Sequence, residues 1–225
     1  MPQILRRNSL WIGLCLIFWF VGVVLWLGLE RGQEMIWLIE MRYIEWKGVF
    51  TYWTKIAETP IYFVGLLWFL YADKQYTISL AIVGLLVPIV NYTLKSFFRH
   101  ERPWDFFSRT EQLDQLSWID TAGVLHGLNA FPSGHSLSAF ALFGIFALVY
   151  RARWLAVVIC FLLAVGVALS RIYLGHHFIK DVVFGSFCGF FLSFMVIEWL
   201  HPKIQNRWLT HNRPINNMTQ MHEPP

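Results

Sequence analysis

Long, nearly uncharged stretches alternate with short polar ones along this chain. The first apolar run, Asn8 to Leu29 behind Arg6 and Arg7, is long enough to cross a hydrocarbon core of about 30 Å. A charged start imitates a secretory signal, but the run is too long and no small-residue cleavage site follows, so it reads as a first transmembrane helix. From Glu30 to Lys55 acids and bases balance, while Ile39, Tyr43, Trp46 and Phe50 recur at helical spacing. That pattern predicts an amphipathic helix in the membrane interface, or a connecting helix packed on the bundle. Thr59 to Ala72 and Gln75 to Leu94 predict the second and third spans, made antiparallel neighbours by the short Asp73-Lys74 turn. Lys95 to His135 is polar and punctuated by Pro103, Gly123, Gly127 and Pro132, longer than most loops, and so expected to be functional or partly helical. Three further runs follow: Ser136 to Tyr150, Trp154 to Leu169 and Val182 to Ile197. Each is short for a span but can continue as helix into its polar flank, which brings the expected number of transmembrane helices to six. Residues 1–201 then form one membrane domain, and residues 202–225, polar and aperiodic from Pro202, a disordered tail.

Composition agrees with an all-α integral membrane protein. Of 225 residues 56% are hydrophobic and 14% charged, and the mean hydropathy is +0.49. Twelve Trp and twenty Phe suit a lipid-facing surface with interfacial aromatic belts. The net charge of +4 is spread through loops, and with no Lys/Arg run there is no nucleic-acid-binding face. Cys15, Cys160 and Cys188 lie inside apolar runs, which excludes a disulfide or metal framework. Six spans put both termini on one side and segments 30–55, 95–135 and 171–181 on the other. Positive charge is denser around Arg6-Arg7, Lys74, Arg151-Arg153 and the tail, so the termini are expected in the cytoplasm and the other face outside.

That outer face gathers the chemistry. Ser170 to Asp181 sets Arg171, His176, His177 and Asp181 between two apolar runs, and ionisable residues at a membrane boundary mark a candidate functional site, the alternative being an interfacial polar cap on a transmembrane helix. Read as a helix, His177 and Asp181 stand four residues apart on one face, so the carboxylate holds one imidazole nitrogen and frees the other. Lys95 and Arg102 lie seven residues apart, about two helical turns, and would project from one side. In Phe131-Pro132-Ser133-Gly134-His135-Ser136, a helix start offers free N–H groups and a positive dipole end, and Gly134 permits close approach of a ligand. Ser133 also reads as a plain helix cap. Three cations, a helix N-terminus and two histidines on one face are what a tetrahedral dianion needs in order to be bound and attacked.

Lys95 with Arg102-Pro103, Pro132-Ser133-Gly134-His135, and Ser170-Arg171 with His177 and Asp181 resemble all three signature motifs of the type 2 phosphatidic acid phosphatase superfamily. The resemblance implies a bacterial inner-membrane lipid phosphatase, multi-pass, with its site facing the periplasm or exterior. It implies that Lys95, Arg102, Arg171, Ser133 and the Gly134 amide bind phosphate, without metal or other cofactor. His177 would be the nucleophile, Asp181 its orienting carboxylate, and His135 the acid that protonates the departing lipid oxygen. Undecaprenyl diphosphate is the first substrate expected, with phosphatidylglycerol phosphate and lipid A phosphates next. A protein that binds or transports an anionic lipid without cleaving it is the alternative from another class. It would need the cations but not two positioned histidines.

Overall fold

The computed structural model describes residues 3–40, 46–116 and 124–211, all helix, turn or loop. A short α1 (Gln3–Arg7) leads into α2 (Ser9–Gly28), and α3 (Gln33–Glu40) and α4 (Trp46–Lys55) follow. Then come α5 (Thr59–Ala72), α6 (Lys74–Phe98), α7 (Pro103–Arg109) and a 3-10 turn at Leu113–Leu116. The second half holds α8 (Gly134–Val149), α9 (Trp154–Tyr173) and α10 (Ile179–Met195), which passes through a π-helical turn (Val196–Leu200) into α11 (His201–His211).

α2, the stretch from α6 through α7, α9, and α10 with its continuation are the four helices long and apolar enough to cross a membrane among the described residues. α5, with 14 residues, and α8, with 16, are shorter, about 21 and 24 Å at the usual helical rise. Helix length therefore supports four of the six expected spans. α8 is apolar all round because it is the axis of the bundle, and residues from Ser136 to Leu148 are almost all buried. Asp73 closes α5 and caps α6 by accepting the Gln75 N–H at 3.1 Å, which makes the expected tight turn.

The tightest pairing is α8 against α10. A Cβ on Gly185 would run into the Ser133 carbonyl, one on Gly189 into the Leu137 carbonyl, and one on Gly144 into Ser193. Gly185, Gly189 and Ser193 recur every four residues and let the backbones approach, the usual device of helix association in lipid. At the end away from the predicted site, Glu198 takes hydrogen bonds from Asn8 (3.0 Å), Arg151 (2.8 Å) and Arg7, tying the N-terminus and the α8–α9 turn to α10.

The 30–55 segment holds two helices rather than one, and α4 packs on α9, as the packed connecting-helix reading expected: Phe50 lies 4.3 Å from Tyr173, ring to ring, and Trp53 donates to the Leu163 carbonyl at 3.4 Å. Tyr43 lies outside the described residues. The chain after Pro202 continues as helix to His211, carried on from α10, and the rest of the expected tail lies outside the described residues.

Gly189→Ala should lower the midpoint of thermal unfolding in detergent, since overpacking a backbone contact costs about 1–3 kcal/mol. Gly13→Ala, whose Cβ meets nothing within 4 Å, should not. Equal midpoints for both variants would remove backbone contact as the basis of the α8–α10 pairing.

Candidate active site

His177 and Asp181 meet at the start of α10, not along a helical face. α9 ends at Tyr173, and Gly175, at φ +71°, turns the chain in a conformation that side chains resist. The Arg171 carbonyl accepts the His176 and His177 N–H groups at 3.0 and 3.3 Å, which folds residues 174–178 back over the end of α9. Asp181, in the first turn of α10, accepts the Phe178 N–H at 3.0 Å, and the same Oδ2 lies 3.5 Å from His177 Nδ1. The carboxylate thus faces Nδ1 and not Nε2. Both side chains are buried. Burial, then the nearby charges of Arg171, Arg102 and Lys95, hold the His177 imidazole well below the usual histidine range, so it is neutral at physiological pH.

The start of α8 lies beside it, held by the Ser133 N–H donating to the Asp181 carbonyl at 2.9 Å. Ser133 is fully buried, and its oxygen accepts from Ser136 Oγ at 2.9 Å and Ser136 N at 3.4 Å. Its observed place is the helix cap, which the sequence also allowed. Gly134 makes room for a side chain as well as for any ligand, because a Cβ there would meet the Asn91 amide. His135 is partly exposed, with Nε2 3.7 Å from Glu58 Oε1.

The cations reach the same place by a turn. α6 ends at Phe98, Arg99 takes the left-handed conformation (φ 49°), and Arg102 precedes α7. Lys95 and Arg102 therefore do not project from one continuous helix. Buried Arg102 donates from Nε to Asn129 Oδ1 (2.8 Å), from Nη2 to the Asn129 carbonyl (3.4 Å) and from Nη1 to the His176 carbonyl (3.1 Å). Buried Arg171 donates from Nη1 to Thr54 Oγ1 at 2.9 Å, while its buried Nε has no hydrogen-bond partner. Both guanidinium groups are held by neutral oxygens, so their charge remains available to a ligand.

Lys95, Arg102, Gly134, His135, Arg171 and His177 line one cavity of about 820 Å³, with Ser133 and Asp181 just behind. The cavity continues between α5 and α6 over Phe63, Leu66, Leu85 and Pro88, an apolar trough leading from a cationic end. Such a space accepts a phosphoryl group on a long apolar chain. Sequence reasoning assigned no site role to Glu58, Thr54, Asn129 or Asn91. Asn91 lies one turn before Lys95, and that spacing was a readable signal. Glu101 pairs with Arg109 at 3.0 Å. Asp105 joins His126 (2.7 Å) and the Gly127 N–H (2.6 Å), which steadies the loop carrying Asn129.

A family model described as PAP2 superfamily matches residues 61–205. The chain is 28% identical over 135 residues to phosphatidylglycerophosphatase B of Bacillus subtilis, covering 50% of this chain and 66% of that protein. It is 32% identical over 137 residues to dolichyldiphosphatase 1 of Dictyostelium discoideum, covering 55% of this chain and 53% of that protein. The matches thus span between about half and two thirds of these relatives' own lengths. Among solved structures, Aquifex aeolicus LpxE superposes with a TM-score of 0.63 at 22% identity, covering 75% of this chain and 95% of that one.

Asn129→Ala removes the side chain that holds Arg102 Nε. A hydrogen bond to a charged group contributes about 1.5–3 kcal/mol, so inorganic phosphate binding to the purified protein should weaken roughly tenfold or more. Unchanged phosphate affinity in a calorimetric titration would show that Asn129 does not position Arg102.

Proposed function

Because the chain belongs to the PAP2 superfamily, we propose that this multi-pass membrane protein hydrolyses the terminal phosphate of a membrane lipid through a phosphohistidine on His177. The observation that carries the reading is the neutral, buried His177, with Nδ1 3.5 Å from Asp181 Oδ2, lining a cavity shared with three cations.

Phosphoryl transfer is mostly positioning and neutralisation of charge on the equatorial oxygens. Lys95, Arg102 and Arg171 supply that charge, and the free N–H groups at the start of α8 add the positive end of a helix dipole. Fixed cations do here what a divalent metal does in other phosphotransferases, so the reaction needs none. His177 Nε2 attacks phosphorus in line, while Asp181 keeps the proton on Nδ1 and balances the charge that forms. Burial and the cations hold His135 neutral before a phosphate binds. As the phosphoryl dianion offsets those cations, His135 takes up a proton, gives that proton to the departing lipid oxygen, and then takes one from the water that hydrolyses the phosphohistidine and releases inorganic phosphate. Ser133 contributes by fixing the helix terminus from which Gly134 and His135 project.

The apolar trough between α5 and α6 suits the acyl or prenyl chain. Undecaprenyl diphosphate, phosphatidylglycerol phosphate and lipid A phosphates share a terminal phosphate on a long apolar group, which is the chemistry the cavity fits. Residues 1–201 act as one catalytic domain. Arg7, Lys74, Arg151 and Arg153 lie at the end opposite the cavity, which favours the inner membrane of a bacterium with that end cytoplasmic and the site facing the periplasm or exterior.

The test is phosphate release by the detergent-purified protein from those three lipids in EDTA, with His177→Ala alongside. The wild type should release phosphate in EDTA, and the variant, still folded, should lose at least about 10³-fold in rate. Near-normal release by His177→Ala would remove the nucleophile. Tight lipid binding without release from any substrate would favour a binding protein instead.

A further inference from the structure

His135 stands among cations: Lys95 from α6, Arg102 before α7 and Arg171 from α9, with the His176 and His177 imidazoles on the α9–α10 turn. Among the described residues, Glu58 is the carboxylate within ion-pair range of it. Glu58 immediately precedes α5, yet its side chain makes no capping hydrogen bond. It is 46% exposed, lines the same cavity and faces Arg171 as well as His135. At 3.7 Å from Nε2 it is too distant to share the imidazole proton in a hydrogen bond, and it acts by charge.

Its place matters because α5 is one wall of the apolar trough. A lipid whose phosphate sits on the cations and whose chain lies over Phe63 and Leu85 shares the cavity with Glu58, at the start of α5. The carboxylate is therefore beside the bond that breaks, on the leaving-group side. Two classes of lipid phosphate differ at that point. In a monoester the leaving group is an alkoxide, a strong base that departs only as a proton is delivered to it. In a diphosphate it is a lipid monophosphate, which departs as a stable anion without a proton, and its own negative charge would lie against Glu58.

We infer that Glu58 is a positioning residue that adapts this site to lipid phosphate monoesters over diphosphates. Burial and the cations keep His135 neutral before a phosphate binds. Once a phosphoryl dianion offsets those cations, the Glu58 charge 3.7 Å away favours the protonated form that an alkoxide requires, and it repels the inner phosphate of a diphosphate. In the monoester reaction the phosphorus–oxygen bond to the lipid breaks as the His177 nitrogen–phosphorus bond forms, and the His135 proton ends on the lipid hydroxyl. The inference rests on the phosphatase reading above. Within that reading it favours phosphatidylglycerol phosphate and lipid A phosphates over undecaprenyl diphosphate.

The experiment compares wild type, Glu58→Gln and Glu58→Asp on oleoylglycerol phosphate and farnesyl diphosphate, with kcat and KM measured across pH. Glu58→Gln should lower kcat on the monoester at least about tenfold and raise kcat/KM on the diphosphate. It should also move the basic limb of the monoester profile to lower pH, because the acid loses its proton more readily without a neighbouring negative charge. Glu58→Asp, which keeps the charge, should restore part of the monoester rate. Parallel losses on both substrates with unshifted pH limbs would reduce Glu58 to a structural residue, and no change on either would overturn the inference. Failure of the wild type to release phosphate from either substrate would overturn the phosphatase reading itself, and this inference with it.

Discussion

The site depends on the backbone contact between α8 and α10. Where Gly185 and Gly189 lie against the Ser133 and Leu137 carbonyls no side chain separates the helices, and the Ser133 N–H closes the pair by donating to the Asp181 carbonyl. Two helix N-termini are thereby fixed side by side at one end of the bundle, one carrying His135 and the other His177 and Asp181. In water such packing would be one stabilising term among many. In lipid, where burial of apolar surface does not drive helices together, close backbone packing is a main source of association. The same glycines that hold the bundle together therefore set the spacing of the two histidines.

A second consequence is electrostatic. Arg102 and Arg171 are buried, yet their hydrogen bonds go to Asn129, Thr54 and backbone carbonyls, which orient a guanidinium without neutralising it. Lys95 lines the same cavity from α6. Close like charges in a partly buried site repel, and a bound phosphoryl dianion relieves that repulsion. In the proposed reaction, affinity for a phosphate follows from cations that the protein leaves without a carboxylate hydrogen-bond partner. The neutral state of His177 comes first from its burial and then from the same cations, which oppose protonation of the imidazole proposed as the nucleophile.

Much of this was legible in the sequence, because residue types at short, fixed spacings carry it: Lys95 with Arg102, Ser133 to His135, and Arg171 with His177 and Asp181. Apolar runs gave the helices, and Asp73-Lys74 gave the α5–α6 turn. The geometry within the motifs was less legible. Helical spacing suggested shared faces, whereas Gly175 and the left-handed Arg99 replace helix with turns and bring the same side chains together by another route. Glu58, Thr54 and Asn129 could not be singled out, since each is an ordinary polar residue whose role exists only through a partner far along the chain. The Gly185, Gly189 and Ser193 repeat was visible but does not announce its partner helix. The helical character of residues 201–211 comes from continuity with α10 through the π turn, not from a local apolar pattern.

The most direct test of the account is an experimental structure of the protein with orthovanadate, which adopts the five-coordinate geometry of a phosphorus atom under in-line attack. The account predicts vanadium bonded to His177 Nε2, its equatorial oxygens on Lys95, Arg102 and Arg171, and His135 facing the apical oxygen opposite. Vanadate bound elsewhere, or held in the cavity with His177 Nε2 turned away from it, would contradict the assignment of His177 as the nucleophile.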